Sequence, residues 1–375
     1  MIQSDEIFDI AIAGGGLIGS ACAAACTQRG LRVAIVEQQA WGSGATAAGM
    51  GHIVAMDDSN ALFALIHRSQ QLWQKLAEQL PAAAAYRTIG TLWVAEDSEE
   101  LAAAEAKDAY FAERGLPARM LTRTELLQEE PHLASDLAGG LLVSSDSVVD
   151  SPTVARFLAA AAQNAGAHAI LGARVEAFGK GRLLLSNNHE IRAHRVLNAL
   201  GADTLRVAPH LPIRPRKGHL AISSGYPNLV HHQVVELGYI KSAHNLNADS
   251  VAFNVQPRAD GQLCIGSSRQ FQAPTDAVEP EIIAAMLARA KRFLPGIDIT
   301  SPMQTRAGFR AATPDKLPLI GPDPVDETIL HATGHEGLGI TTALATAELI
   351  ADHLTGRTPA IDPRPYLPAR FHQLS

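Results

Sequence analysis

The chain reads as α/β, with a β-α-β unit at its start and a mainly antiparallel region inserted further along, and three observations predict this. First, an apolar run over 8–13 ends on glycine, the alanine-rich stretch 17–27 favours helix, and 32–36 is a β-branched run ending at Glu37. Second, Ser151-Pro152 gives a capping residue and a proline at the first helical position, opening an alanine-rich helix that runs to Gly166. Third, the strand-like segments 88–94 and 140–143 flank a helical 99–114, and 217–268 reads as several strands in hairpin-like order. A helix over 281–293 is ended by Pro295-Gly296, and a strand at 330–333 leads through a glycine turn into a helix over 340–354 closed by Gly356.

Composition narrows the function. At 375 residues the chain is long enough for two domains, and 47% hydrophobic against 18% charged residues excludes disorder. A formal charge of −7 provides no global positive field for a nucleic-acid backbone. Three cysteines, Cys22, Cys26 and Cys264, lack the spacing of a zinc or iron–sulfur cage, so no metal is expected and a reducing, cytoplasmic setting is. The acidic N-terminus does not resemble a secretion signal, and no 18-residue apolar run is free of glycine or charge, so no membrane span is expected.

The first turn carries Gly14, Gly16 and Gly19. In that spacing the first glycine permits a tight turn, the second lets backbone approach a pyrophosphate, and the third lets the helix pack closely; the helix amides then face the phosphates. Glu37 lies 18 residues past Gly19, with Gln38 behind it, where a carboxylate can accept both ribose hydroxyls, and an acid there disfavours a 2′-phosphate. The alternative is a close-packed turn without a ligand. The next stretch, 42–51, is glycine-rich and uncharged; Thr46, Ala47, Gly49 and Met50 could line an extended flavin dinucleotide, or the segment could be a surface loop.

The fingerprint, Ala47-Ala48-Gly49-Met50, the later Leu197-Asn198-Ala199-Leu200-Gly201-Ala202, the block 308–321 around Arg310, and Gly334-His335-Glu336-Gly337-Leu338-Gly339 resemble the FAD-dependent D-amino-acid oxidase superfamily over essentially the whole chain. Within it, Gly49-Met50-Gly51-His52 with Asp57-Asp58-Ser59, and the Gly334–Gly339 block, are most similar to flavin subunits of bacterial D-hydroxyproline dehydrogenase and of opine or hydrogen-cyanide-synthase-type dehydrogenases. The resemblance implies a Rossmann-like FAD-binding domain (1–85, 150–215 and 305–375) interleaved with an α+β substrate domain on a mainly antiparallel sheet (86–149 and 216–304), the active site lying between them.

It further implies noncovalent FAD, since no cysteine stands near Arg310, with Val175 against the adenine and Gly201 beside the cofactor. Arg310 is expected to hold a substrate carboxylate with its planar fork, the alternative being a surface salt bridge. Gly334 and His335, and the helix start at Gly337, Leu338, Gly339 and Ile340, are expected to face the flavin, where amides and macrodipole would stabilise negative charge. His52 is a candidate for contact with ring or substrate, and Tyr239 for a substrate-lid hydroxyl, each also readable as local packing. The expected reaction is oxidation of a small D- or secondary amino acid, D-hydroxyproline first, to its imine by hydride transfer to flavin N5. Cys264 stands where related oxidases carry an oxygen-activating lysine, which favours an acceptor other than NAD or oxygen and admits partner subunits. A peroxide-forming oxidase and a non-catalytic electron-relay subunit are the alternatives.

Overall fold

A computed structural model describes residues 6–223, 225–238, 249–271, 273 and 275–374. The β-α-β unit is Ile7–Ala13, Leu17–Gln28 and Val33–Glu37, with both strands almost wholly buried, which is why they are apolar without alternation. Around it runs a parallel array in the order His168–Leu171, Val33–Glu37, Ile7–Ala13, Glu190–Asn198 and Ile329–Thr333. Glu190–Asn198 shares its outer edge: its first residues pair antiparallel with Arg182–Leu185, and its last three pair parallel with Ile329–Thr333. Helix Leu17–Gln28 packs between Ser151–Asn164 and Gly339–Thr355 on one face.

The second sheet has eight strands among the described residues. From one edge they run Gln304–Ala312, Arg214–Ser223, Leu263–Phe271, Ser250–Pro257, Gln233–Glu236, Thr91–Ala95, Gly139–Val143 and Arg119–Thr122. Every neighbour is antiparallel except Gln233–Glu236 beside Thr91–Ala95. Helix Pro280–Phe293 covers this sheet, with the Phe253 and Phe293 rings stacked at 4.5 Å.

Several elements depart from the sequence reading. The strand expected over 88–94 is broken by Gly90 in a left-handed conformation (φ +73°), giving Arg87–Thr88 in a small three-stranded sheet and Thr91–Ala95 in the large one. The cap of the helix at 151 is Asp150, whose carboxylate accepts from Thr153 N at 3.0 Å, while Ser151 Oγ donates to Thr46 O. Segment 42–51 contains a short helix, Ala45–Ala48, held close to Gln304–Ala312 because Gly308 lacks a Cβ that would stand 2.5 Å from Ala48 Cβ. Strand Gln304–Ala312, placed by sequence with the cofactor unit, hydrogen-bonds instead along the edge of the second sheet. Strand 233–236 is not part of a simple hairpin series, since one of its neighbours lies far back in the chain. No helix of the described residues is long and apolar enough to cross a membrane.

Candidate active site

Parallel sheets place their sites beyond the carboxyl ends of the strands. Here Gly14, Gln38, Ala173, Ala199 and Gly334 follow those ends and line a cleft of about 690 Å³ whose opposite wall is the second sheet. Gly14 adopts φ +106°, and a Cβ there would meet Ala199 O at 2.5 Å; a Cβ on Gly19 would meet Gly14 O at 1.9 Å. Backbone thus packs on backbone, and the helix N-terminus reaches the cleft at Gly16 and Leu17. Gly16 has no side-chain cap and the first turn no acid, so this end suits an anion, with Thr46 Oγ1 accepting from Leu17 N at 3.0 Å.

Glu37 lines the same cleft and braces it. Its Oε2 accepts from Gly15 N at 2.7 Å, and its Oε1 from Gln39 N at 2.8 Å and Ser43 Oγ at 3.3 Å. A carboxylate offers about four acceptor positions, leaving capacity for a ligand hydroxyl. Gln38, Thr46, Gly49, Met50, Val175 and Gly201 also line the cleft. Gly19 and Ala47 do not: Gly19 acts through its contact with Gly14, and Ala47 O accepts from Arg306 Nη1. Sequence reasoning passed over Arg206, which also lines the cleft and whose Nη2 donates to Val175 O at 2.6 Å.

On the same cleft the chain turns through Gly334 and His335 and a 3₁₀ turn, Glu336–Leu338, into helix Gly339–Thr355, which also begins without a side-chain cap. Gly334, His335, Gly337, Leu338, Gly339 and Ile340 all line the cleft. Burial holds the His335 ring at a pKa of about 3, hence neutral, with Nε2 3.0 Å from Thr346 Oγ1. Two helix starts without side-chain caps on one cleft lined by many glycines fit a dinucleotide such as FAD.

The second sheet adds arginines of its own to the cleft. Arg310 projects from Gln304–Ala312 into the cleft, its Nη1 donating to Ser268 O at 3.0 Å. Its guanidinium lies over Gly218, where a Cβ would stand 2.5–2.6 Å from Nη2, Cζ and Nη1. Two further arginines line the cleft, Arg216 and Arg269, each 7% exposed. Arg216 Nη1 donates to Glu336 Oε1 at 3.1 Å. Sequence reading missed both; the available signal was a charged residue within a strand otherwise built for burial. Tyr239 lies outside the described residues.

His52 lines the cleft with Nε2 2.7 Å from Thr91 Oγ1, and burial holds its pKa at about 3, so the ring is neutral. Behind it lies Asp146, fully buried and pushed up to about 7 by burial, against hydrogen bonds from Thr91, Ala55 N and Gln70 Nε2 and the charge of Lys107. The folded protein therefore holds a proton that the unfolded carboxyl, at 3.8, has lost, and this contribution to stability declines as pH rises from about 4 to about 7. His52 and His335 tilt the other way below their ordinary 6.5. Asp146→Asn removes only the first slope, so the melting temperature of the variant relative to wild type is expected to rise between pH 4 and pH 7 and level off above; a constant difference across that range refutes the assignment.

Cys264 is buried, its thiol pushed up to about 11, and packs with Leu220, Ile222 and Met50. Among the described residues, His210, Asp323 and His331 bring potential metal-ligand atoms within 4.8 Å of one another. Asn198 Oδ1 accepts from Leu200 N and Thr204 Oγ1, so its Nδ2 donates to His331 Nδ1; His331 Nε2–H then donates to Asp323. Both nitrogens of the His331 ring are engaged, and the trio is a hydrogen-bond network tying strand ends together.

The family model described as DAO, FAD dependent oxidoreductase, matches residues 9–353. The chain is similar to a glycine oxidase of Pseudomonas aeruginosa (28% identity, 96% of this chain, 98% of the relative). It is similar also to the hydrogen cyanide synthase subunit HcnC of that organism (27%, 98% and 97%). Among solved structures it superimposes on glycine oxidase from Geobacillus kaustophilus with a TM-score of 0.87 at 28% identity, covering 97% of this chain and 98% of that one. The glycine loop, the two open helix ends and this match across the cleft-forming segments agree: the chain belongs to the DAO family of FAD-dependent oxidoreductases.

Proposed function

We propose that the protein oxidises a small D- or secondary amino acid to its imine, D-hydroxyproline being the first compound to test, and delivers the electrons to an acceptor other than NAD. The observation that carries this reading is Arg310, a guanidinium braced by Ser268 O in the cleft that also holds the glycine cradle. FAD, when bound, supplies the acceptor for the hydride equivalent leaving the α-carbon. Gly14, Gly16, Thr46 and the open end of Leu17–Gln28 hold its diphosphate, Glu37 its ribose, and Gly337–Ile340 the opposite end. Arg310 fixes the carboxylate bidentately, so the substrate is oriented rather than merely attracted. The neutral ring of His52 is a positioning group in this scheme. The nitrogen loses its proton as the C–N bond becomes double, so the reaction releases two electrons and protons in balance.

The electron acceptor is the finer part of the proposal. Cys264 is neutral and set among apolar side chains, which supports transfer to a carrier or a partner subunit in the cytoplasm. The relatives named glycine oxidase favour a second reading, direct reoxidation by oxygen with peroxide release. Anaerobic mixing of the holoenzyme with D-, L- and N-substituted amino acids tests the activity: bleaching of the flavin bands by a small D- or secondary amino acid is expected, and no bleaching by any of them refutes it. Admitting air afterwards separates the two acceptors, since rapid recovery of colour selects the oxidase.

A further inference from the structure

We infer that the cleft carries a neutral polar subsite, Ser267 with Asn254, that takes a hydroxyl on the γ-carbon of the substrate, so that γ-hydroxylated amino acids are preferred over their unhydroxylated counterparts. The inference rests on the amine-oxidising reading of the same cleft and narrows its substrate class.

Ser267 is 4% exposed and lines the cleft, yet its Oγ finds no hydrogen-bond partner among the described residues. Buried hydroxyls are almost always paired, so one left open on a cleft wall is a place for a ligand atom. Strand register explains how it comes to face that way. Trp93, Val235, Asn254 and Gly266 stand directly opposite one another across four neighbouring strands and so share one face of the second sheet; the first three line the cleft. Ser267, next after Gly266, would ordinarily point to the other face. Strand Leu263–Phe271 shifts register against both of its neighbours in this stretch, which turns Ser267 to the cleft as well.

Asn254 supplies the second group. Its Oδ1 accepts from Gln233 Nε2, which fixes the amide and leaves Nδ2 to donate. The surroundings are apolar: a Cβ on Gly266 would stand 2.8 Å from Leu220 Cδ2 and 3.4 Å from Met50 Sδ, and Val235 and Trp93 continue the row. Arg216 and Arg269 share this wall and act on Glu336. Away from the arginines, beside Val235 and Trp93, a charged group would give up its water for neutral partners, whereas a hydroxyl can accept from Asn254 Nδ2 and donate to Ser267 Oγ. Distance sets where that hydroxyl belongs. Arg310 Nη1 donates to Ser268 O, so the fork that grips the carboxylate reaches the strand carrying Ser267, and Asn254 is one strand farther, about 4.8 Å. A hydroxyl on the γ-carbon spans that gap from the carboxylate.

The test is binding of non-oxidisable acids to the holoenzyme, read as perturbation of the flavin spectrum, with 4-hydroxybutyrate and valerate as probes. The two are nearly isosteric, hydroxyl against methyl, and neither carries an amino group to oxidise. 4-Hydroxybutyrate is expected to bind about tenfold more tightly than valerate. Ser267→Ala and Asn254→Ala are each expected to bring that ratio to about twofold or less, while valerate binds as in the wild type and flavin content is unchanged. Equal affinity of the two acids for the wild type, binding of neither, or a preference that survives both substitutions overturns the inference. A 4-hydroxybutyrate preference lost in the variants, with no bleaching by any amino acid, keeps the subsite and rejects the proposed reaction. Bleaching by small amino acids with no preference between the two acids does the reverse.

Discussion

Arg310→Ala is expected to raise the KM for the amino-acid substrate by roughly 30- to 1000-fold, equivalent to about 2–4 kcal/mol, while the flavin content of the purified protein stays at wild-type level. The magnitude follows from losing a charge-assisted pair and leaving the substrate carboxylate in a cleft built around a fork of donors. Retention of flavin follows from geometry, since Arg310 belongs to the second sheet and the glycine cradle to the first. Arg310→Lys is expected to restore little, because an ammonium supplies charge without bidentate geometry. Gly218→Ala gives an independent check. Its methyl would occupy the space under the guanidinium and displace the flexible end of Arg310, so KM should rise with little change in melting temperature. Wild-type KM in Arg310→Ala would remove this residue from the substrate site.

The contrast between Arg310 and its neighbours shows what sequence carries. Arg310 was legible because it sits in a recognisable block that closes with Gly321. Arg216 and Arg269 are single charged residues in ordinary strands, and only the pairing of Arg214–Ser223 with both Gln304–Ala312 and Leu263–Phe271 brings all three to one wall. Periodicity reports which face a residue takes; it does not report which strand lies alongside. The same limit explains Gln233–Glu236, whose parallel neighbour Thr91–Ala95 is far away in the chain. The first sheet was more readable because its logic is local: a strand, three glycines, a helix and a terminal acid within one β-α-β unit. Even there, Gly15 hid its part. Its amide anchors Glu37, and a Cβ would run into the Trp41 ring at 2.4 Å, a contact with no spacing signature.

Gly19→Ala is expected to have the largest effect on cofactor retention, yielding protein that is largely colourless and less stable by about 1–3 kcal/mol. At Gly19 the added methyl would stand 1.9 Å from Gly14 O, 3.0 Å from Gly14 C and 3.4 Å from Ala199 Cβ. Two of those three atoms are backbone, so no side-chain rotation relieves the clash, and helix Leu17–Gln28 must back away from the strand end. That movement carries the open amide end out of the cleft and pulls Gly16 and Leu17 from Thr46, dismantling the anion site even though Gly19 itself does not line it. Gly30→Ala serves as the control for helix-end glycines: its φ of +81° adds strain, but nothing lies within 4 Å of the new methyl and the position is remote from the cleft lining. Flavin-to-protein absorbance ratios after purification and after reconstitution with excess FAD, together with melting temperatures, separate the two variants. A Gly19→Ala protein that retains a full complement of flavin would show that the close contact between helix and glycine loop is not what shapes the cradle.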